Sequence, residues 1–428
     1  MLRVLLRIMS AVALLTIGFV SGWIGALAAQ QGGIAAVFRP PAAQTTTPAE
    51  LHQEFDLFWE VWRLVEYEYY GRKNLDNTSM IQGAIKGMLA SLNDPATLYQ
   101  EPDLAAQSND NLQGKIVGIG TYLRMGGERG ERVLLYKPIP DGPAAQAGLR
   151  QDDAILAIDG EEVATLINGL APNDAIVKVA AKLRGEEGTT VVVQIQRASD
   201  NSVAEISLTR RDITIPSVEV LPLDQGVLYL RIAEFRATTT AEIDAVLQNM
   251  GKTPPRALLL DLRNNPGGLV TVTQEVLGRF YAGVALYEED GAGSIKELRT
   301  IGGAQRFPDI PMVILVNGNT ASASEIAAGA LAEQRPQTTL LGEQTFGKGS
   351  VQNVHKLSDG GSARITFAHW LTPNKAAIHG VGITPAQVVP FADDPASLGP
   401  CVGERQPPPG QTACGDTQIA AALRLLGP

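Results

Sequence analysis

The chain has 428 residues, with 35 Lys and Arg against 45 Asp and Glu, a formal charge of −10. At about 150 residues per domain, that length predicts two or three domains. Apolar residues at 45% and charged residues at 19% give them cores to bury. The acidic balance argues against nucleic-acid partners, and four His with two Cys exclude zinc fingers and iron–sulfur clusters.

Arg3 and Arg7 precede an apolar run from Ile8 to Ala29, long enough to span a bilayer as a helix. Basic residues ahead of the run keep the N-terminus cytoplasmic and send the rest out. The run ends Ala26-Leu27-Ala28, which also fits a small-residue cleavage site. Its length favours an uncleaved anchor, and a buried helix is the weaker alternative. Residues 1–30 are therefore expected to be a membrane anchor or signal sequence. The body is expected in the periplasm or on the outer face of the cytoplasmic membrane. In an exported chain, Cys401 and Cys414 most simply form one disulfide; two unrelated thiols are the alternative.

Residues 31–50 are rich in Gly, Pro, Ala, Gln and Thr and are expected to be a linker. Phe55, Phe58, Trp59 and Trp62 then recur at helical spacing, a stripe that predicts a buried helix face. A second helix carries Ile81, Ile85, Met88, Leu89 and Leu92, and Asn93-Asp94-Pro95 stops it. From Gly114 to Asp212 the pattern is of short strands, with one helix between Asp174 and Leu183. From Ile213 strands and helices alternate. Val227 to Ile232, Ala257 to Leu262 and Met312 to Val316 are apolar strands. Helices are expected from about Thr240 to Met250 and near Ser324 to Ala332.

Three constellations carry chemistry. Asn265-Pro266-Gly267-Gly268 follows a buried strand, and its glycines let backbone N–H groups face an anion. Alone, it is more often a plain turn. Asn317 to Ile326 also follows a buried strand and leads into a helix. Capping is assigned here to Ser324, leaving Ser322 as the candidate nucleophile. Gly342 to Ser350 nearly matches a phosphate-binding loop, but Gly349 replaces the hydroxyl residue that holds Mg²⁺, so nucleotide binding is rejected. A buried Lys348 would be partly neutral and able to accept the Ser322 proton. A solvated surface Lys is the bland alternative. His52, His355, His369 and His379 stand in no motif tied to Ser322, so a Ser–His–Asp triad ranks lower.

Taken together, these segments resemble the C-terminal processing peptidases, or tail-specific proteases. The resemblance runs from about Leu51 to Pro390. It rests on Gly83 to Leu89, Gly118-Ile119-Gly120, Gly142 to Leu149 and Leu262 to Gly268. The remaining pieces are Ser322 to Ile326, Thr345 to Gln352 and Gly380 to Pro385, all in the family order. It implies a multidomain α+β chain: a helical N-terminal region at 51–110, a PDZ domain at 111–212, and an α/β peptidase core of ClpP/crotonase-like type at 213–395. A Cys-bearing tail at 396–428 looks like a local addition away from the chemistry.

The resemblance makes Ser322 the nucleophile, Lys348 the base and Gln352 its orienting partner. The Ser322-to-Lys348 spacing of 26 is one longer than expected, with the extra residue placed ahead of the strand that carries Lys348. An oxyanion hole is expected from Ala323 and Gly267 or Gly268. A carboxylate loop near Leu112 to Gly120, with Gly118, Ile119, Gly120 and Tyr122, would hold a substrate tail. The expected function is an exported serine endopeptidase that reads apolar C-terminal tails and cleaves through an acyl-enzyme. Its partners would be protein or peptide substrates, with self-association left open, and it needs no metal or cofactor. The competing readings are an inactive PDZ scaffold and a small-molecule binder on a crotonase-like core.

Overall fold

The computed structural model describes residues 51–127, 131–250, 254–402 and 413–427. The expected anchor at 1–30 and linker at 31–50 lie outside these residues. Among the described residues no helix is long and apolar enough to cross a membrane. The described residues fall into two compact units, divided between Met80 and Ile81.

In the first unit, α1 (His52–Glu68) buries none of its side chains. The expected core stripe is thus not a core: Phe55 is 41% and Trp59 46% exposed. The four rings pack on one another along the helix instead, with centroids 5.1 to 6.1 Å apart. That contact is what i, i+3 and i+4 spacing provides on a single helix. Helix α2 (Asn77–Ala90) runs across the boundary and ends ahead of Asn93-Asp94-Pro95.

The second unit continues with β1 (Leu98–Gln100) and α3 (Pro102–Gln113). Gly114, at φ 73°, caps α3 in the left-handed region, where a glycine costs least. The predicted carboxylate loop therefore divides: Leu112 closes a helix, and β2 (Lys115–Gly118) follows.

Then come β3 (Thr121–Gly126), β4 (Arg132–Pro138), α4 (Pro143–Gln146), β5 (Ala154–Ile158), β6 (Glu161–Glu162), α5 (Val163–Leu166), α6 (Pro172–Leu183), β7 (Thr190–Gln196), β8 (Val203–Thr209) and β9 (Arg211–Thr214). Strands β3, β4, β5, β7 and β8 form one antiparallel sheet, and β2 pairs with β9. Val133, Leu135, Ile155, Val193 and Ile195 fill its core against Ala175, Val179 and Leu183 of α6.

The rest is β10 (Val218–Pro222), β11 (Val227–Ile232), α7 (Thr239–Asn249), β12 (Ala257–Asp261), α8 (Val270–Leu277), β13 (Val284–Asp290), β14 (Ile295–Arg299), β15 (Met312–Val316), α9 (Ala323–Gln334), β16 (Thr338–Gly342), β17 (Ser350–Lys356), β18 (Ser362–Leu371), β19 (Gln387–Val388), β20 (Leu398–Gly399), β21 (Cys414–Gly415) and α10 (Thr417–Leu426). A sheet of order β10-β11-β12-β15-β16-β19 runs parallel from β11 onward. Strands β12 and β15 are buried at every residue. Parallel strands of this kind need a cover on both faces. Leu258, Leu260 and Ile314 pack with residues of α7, α8 and α9. Tyr229, Leu259 and Leu315 pack with Ile419 and Ala422 of α10.

The C-terminal tail is thus no mere addition, because its helix supplies the second cover. Cys401 and Cys414 are disulfide-bonded. A separate sheet of order β1-β18-β13-β14 also carries β17 on β18.

Candidate active site

The all-apolar β15 ends at Val316, and the chain turns through Asn317 to Ser322 into α9. Ser322 has φ 57° and ψ −121°, a strained backbone for a residue with a Cβ. Such positions cost about 1–3 kcal/mol and persist where the surroundings over-determine them. Here the Ser322 N–H donates to Glu325 Oε2 at 2.8 Å. The Ser324 hydroxyl, fully buried, donates to Asn265 O at 2.8 Å and accepts from Ala321 N–H. The cap position therefore belongs to Ser322, the non-helical residue ahead of Ala323. Ser324, predicted as the cap, instead ties this turn to the one after β12.

That second turn holds Asn264 at φ 57° and Asn265 fully buried. Asn265 Nδ2 donates to Ile232 O, and its Oδ1 accepts the Gly267 N–H, both at 2.8 Å. Gly267 has φ 110°, and a Cβ there would lie 2.8 Å from Ser322 Cβ and 3.0 Å from Ala323 N. Only glycine lets this turn sit against the serine. Gly268 is as constrained, since a Cβ would meet Phe235 O at 2.2 Å. Gly267 N–H is occupied by Asn265. Among the described residues, neither Ala323 N–H nor Gly268 N–H has an acceptor. Arg263, just ahead of the turn, is clamped by Asp261 Oδ2 at 2.6 Å and Asp416 Oδ2 at 2.9 Å.

Lys348 stands in the loop between β16 and β17, two residues before the strand on which it was expected. The backbone here is tightly packed: a Cβ on Gly349 would meet His379 N at 2.3 Å, and Gly349 O accepts from Trp370 N–H at 2.7 Å. Glu325 fixes the loop. Its Oε1 accepts from Thr345 Oγ1 at 2.5 Å and Gly347 N–H at 2.7 Å. Its Oε2 accepts from Lys348 N–H at 2.9 Å as well as from Ser322 N–H. One buried carboxylate thus holds the backbones of Ser322 and Lys348, a role that Glu325's place in the helix-start motif did not announce. Its loop partners lie 20 to 23 positions further on, beyond any local spacing rule.

Burial pushes the half-buried Lys348 ammonium below its ordinary value; Arg364 adds to that, and Asp94 opposes it. Among the described residues no hydrogen bond joins the Ser322 hydroxyl to the Lys348 ammonium, or Lys348 to Gln352. Gln352 Nε2 donates to Ser350 Oγ at 2.9 Å and Thr366 Oγ1 at 3.1 Å. His369 and His379 stack on each other, with centroids 4.2 Å apart.

Gly118, Ile119, Gly120 and Tyr122 line a cavity of about 300 Å³ with Ile176 and Leu183 of α6. Ile119 is only 2% exposed, so it serves the PDZ core as much as the cavity. Arg184, right after α6, also lines the cavity. Its Nη1 is buried with no hydrogen-bond partner among the described residues. Sequence gave no sign of it, because a lone Arg after an amphipathic helix reads as a solvated end.

The model of peptidase family S41 matches residues 226–389, that of the PDZ domain 136–197, and that of the activating protease CtpB N-terminal domain 15–103. The chain is 32% identical to a carboxyl-terminal-processing protease of Synechocystis sp., over 86% of this chain and 87% of that one. It is 31% identical to the carboxy-terminal processing protease CtpA of Bacillus subtilis, over 87% and 76%. Among solved structures, a photosystem II D1 C-terminal processing protease aligns with 30% identity and TM-score 0.47, covering 80% of this chain and 94% of that one. The chain belongs to peptidase family S41, the carboxyl-terminal processing serine proteases.

Proposed function

We propose that this protein is an exported endopeptidase that cuts protein substrates selected by their apolar C-terminal tails, with Ser322 as nucleophile and Lys348 as base. The domains are a helical region at 51–110, a PDZ domain at 111–212 and a peptidase core at 213–395. The observation that carries the reading is the shared Glu325 carboxylate, which fixes the Ser322 turn and the Lys348 loop to each other. The depressed Lys348 value adds to it, since a neutral amine is what a Ser–Lys pair needs. The Cys401–Cys414 disulfide favours an oxidising compartment, in line with the basic and apolar N-terminal segment.

In this mechanism the Ser322 hydroxyl passes its proton to Lys348 as Oγ bonds to the scissile carbonyl carbon. Ala323 N–H and Gly268 N–H serve the oxyanion; a donor of this kind is worth about 3–4 kcal/mol. Lys348 then gives its proton to the leaving amine as the C–N bond breaks. Water repeats the exchange on the Ser322 ester. Gln352 supports the loop through Ser350. The PDZ cavity takes the substrate tail by strand addition, and Arg184 Nη1 pairs with its carboxylate.

The test is hydrolysis of a peptide ending in a free apolar carboxylate. Activity lost in both Ser322→Ala and Lys348→Ala, with folding intact, is the expected outcome. Retained activity in Lys348→Ala would remove the dyad.

A further inference from the structure

The turn Asn93-Asp94-Pro95-Ala96-Thr97 precedes the PDZ domain in sequence, yet it reaches the peptidase site. Strand β1 follows it and pairs antiparallel with β18, Leu98 opposite Arg364 and Gln100 opposite Ser362. The same stretch of β18 pairs with β17, so Gln352 stands opposite Thr366. Side chains continue the link. Asp94 accepts from Ala96 N–H at 2.9 Å and from Thr97 Oγ1 at 2.7 Å. Thr97, 5% exposed, accepts from Thr366 N–H at 2.9 Å. Thr366 Oγ1 accepts from Gln352 Nε2, which also holds Ser350, two residues past Lys348. On the neighbouring strand, Arg364 Nε donates to Gln100 Oε1 at 3.0 Å.

We propose that the Asn93–Thr97 turn is part of the catalytic site, with Asp94 and Arg364 as positioning residues for the loop that carries Lys348. The proposal rests on Lys348 being the base. The two residues differ in charge and come from different elements, so their effects on Lys348 separate cleanly. Asp94 favours the ammonium form, while Arg364 and burial disfavour it. Burial also raises the Asp94 carboxyl, but the Thr366 and Thr97 hydroxyls with the Ala96 and Thr97 N–H groups outweigh it, so Asp94 stays ionised. The other titratable groups packed about the loop are Glu325, whose oxygens already serve four donors, and the stacked His369 and His379 beside Gly349.

A base must be neutral to act, so the acidic limb of kcat/KM reports Lys348. Removing the Asp94 charge lowers the lysine's value, and the limb moves to lower pH. Removing the Arg364 charge raises it, and the limb moves to higher pH. The experiment measures kcat and KM on the full chain across pH for Asp94→Asn, Arg364→Gln and Lys348→Ala. The expected shifts run in opposite directions. Asp94→Asn should also lower kcat roughly tenfold to a hundredfold at unchanged KM, from the loosened relay. Folded variants whose limbs stay put, or move the same way, overturn the proposal. If Asp94→Asn fails to fold, the direction of the Arg364→Gln shift alone decides. An active Lys348→Ala is a different failure, because it removes the base itself.

Discussion

Glu325 lies fully buried in the first turn of α9, with four donors on its two oxygens. Removing it leaves two loops without their common acceptor and three backbone N–H groups unsatisfied. Each such orphan costs about 1–3 kcal/mol where water cannot enter. Glu325→Ala should therefore lose stability by about 3 kcal/mol or more and lower kcat about a hundredfold, as Ser322 and Lys348 lose registry. Glu325→Gln should rescue little, because its NH₂ faces N–H donors at one end. Denaturant midpoints and kcat on one peptide check both; a Glu325→Ala chain with full kcat would separate Glu325 from the chemistry. Ser322 and Lys348 could be proposed from sequence because each sits among small residues in a short motif. The carboxylate joining them could not, since its two ends serve contacts made only by folding.

The strands Val227–Ile232 and Met312–Val316 were legible because a doubly covered parallel strand reads as a plain apolar run. What lay against them was not. The tail that carries α10 was read as a local addition, yet Ile419 and Ala422 are fully buried on the sheet. Its cap residue Asp416 accepts from Gln418 N–H and Ile419 N–H and pairs with Arg263, one step before the Asn264–Gly268 turn. The disulfide closes a loop of sequence separation 13 just before this cap. A loop of that length stabilises by about 3 kcal/mol through the unfolded chain. Replacing both cysteines, Cys401→Ser with Cys414→Ser, should lower stability by about that amount and weaken the brace on the turn. A reductant should lower the unfolding midpoint of the native chain but leave the double variant unchanged. Equal midpoints for native chain and double variant would show that the disulfide adds nothing.

Across the whole molecule, the PDZ domain and the peptidase core lie in one compact unit, and under the proposed function selectivity would depend on what the PDZ cavity holds. The residues read from sequence there are glycines and apolar side chains, which fit an apolar tail but cannot select its charge. In the proposed tail capture, Arg184 would supply that charge. Burial pushes its guanidinium below the usual value, with Asp110 opposing, and Nη1 has no hydrogen-bond partner among the described residues. A buried unpaired donor is costly unless a ligand meets it. A free carboxylate on the guanidinium would restore a charge-assisted pair, worth about 1.5–3 kcal/mol, or roughly tenfold to a hundredfold in affinity. Arg184→Ala should therefore raise KM by that factor for a free-tail peptide at nearly unchanged kcat. The matched C-terminal amide should change little, because it carries no charge for Arg184 to read. Equal losses for both peptides would make Arg184 a packing residue, and a fall in kcat alone would move its role from capture to coupling between the cavity and Ser322.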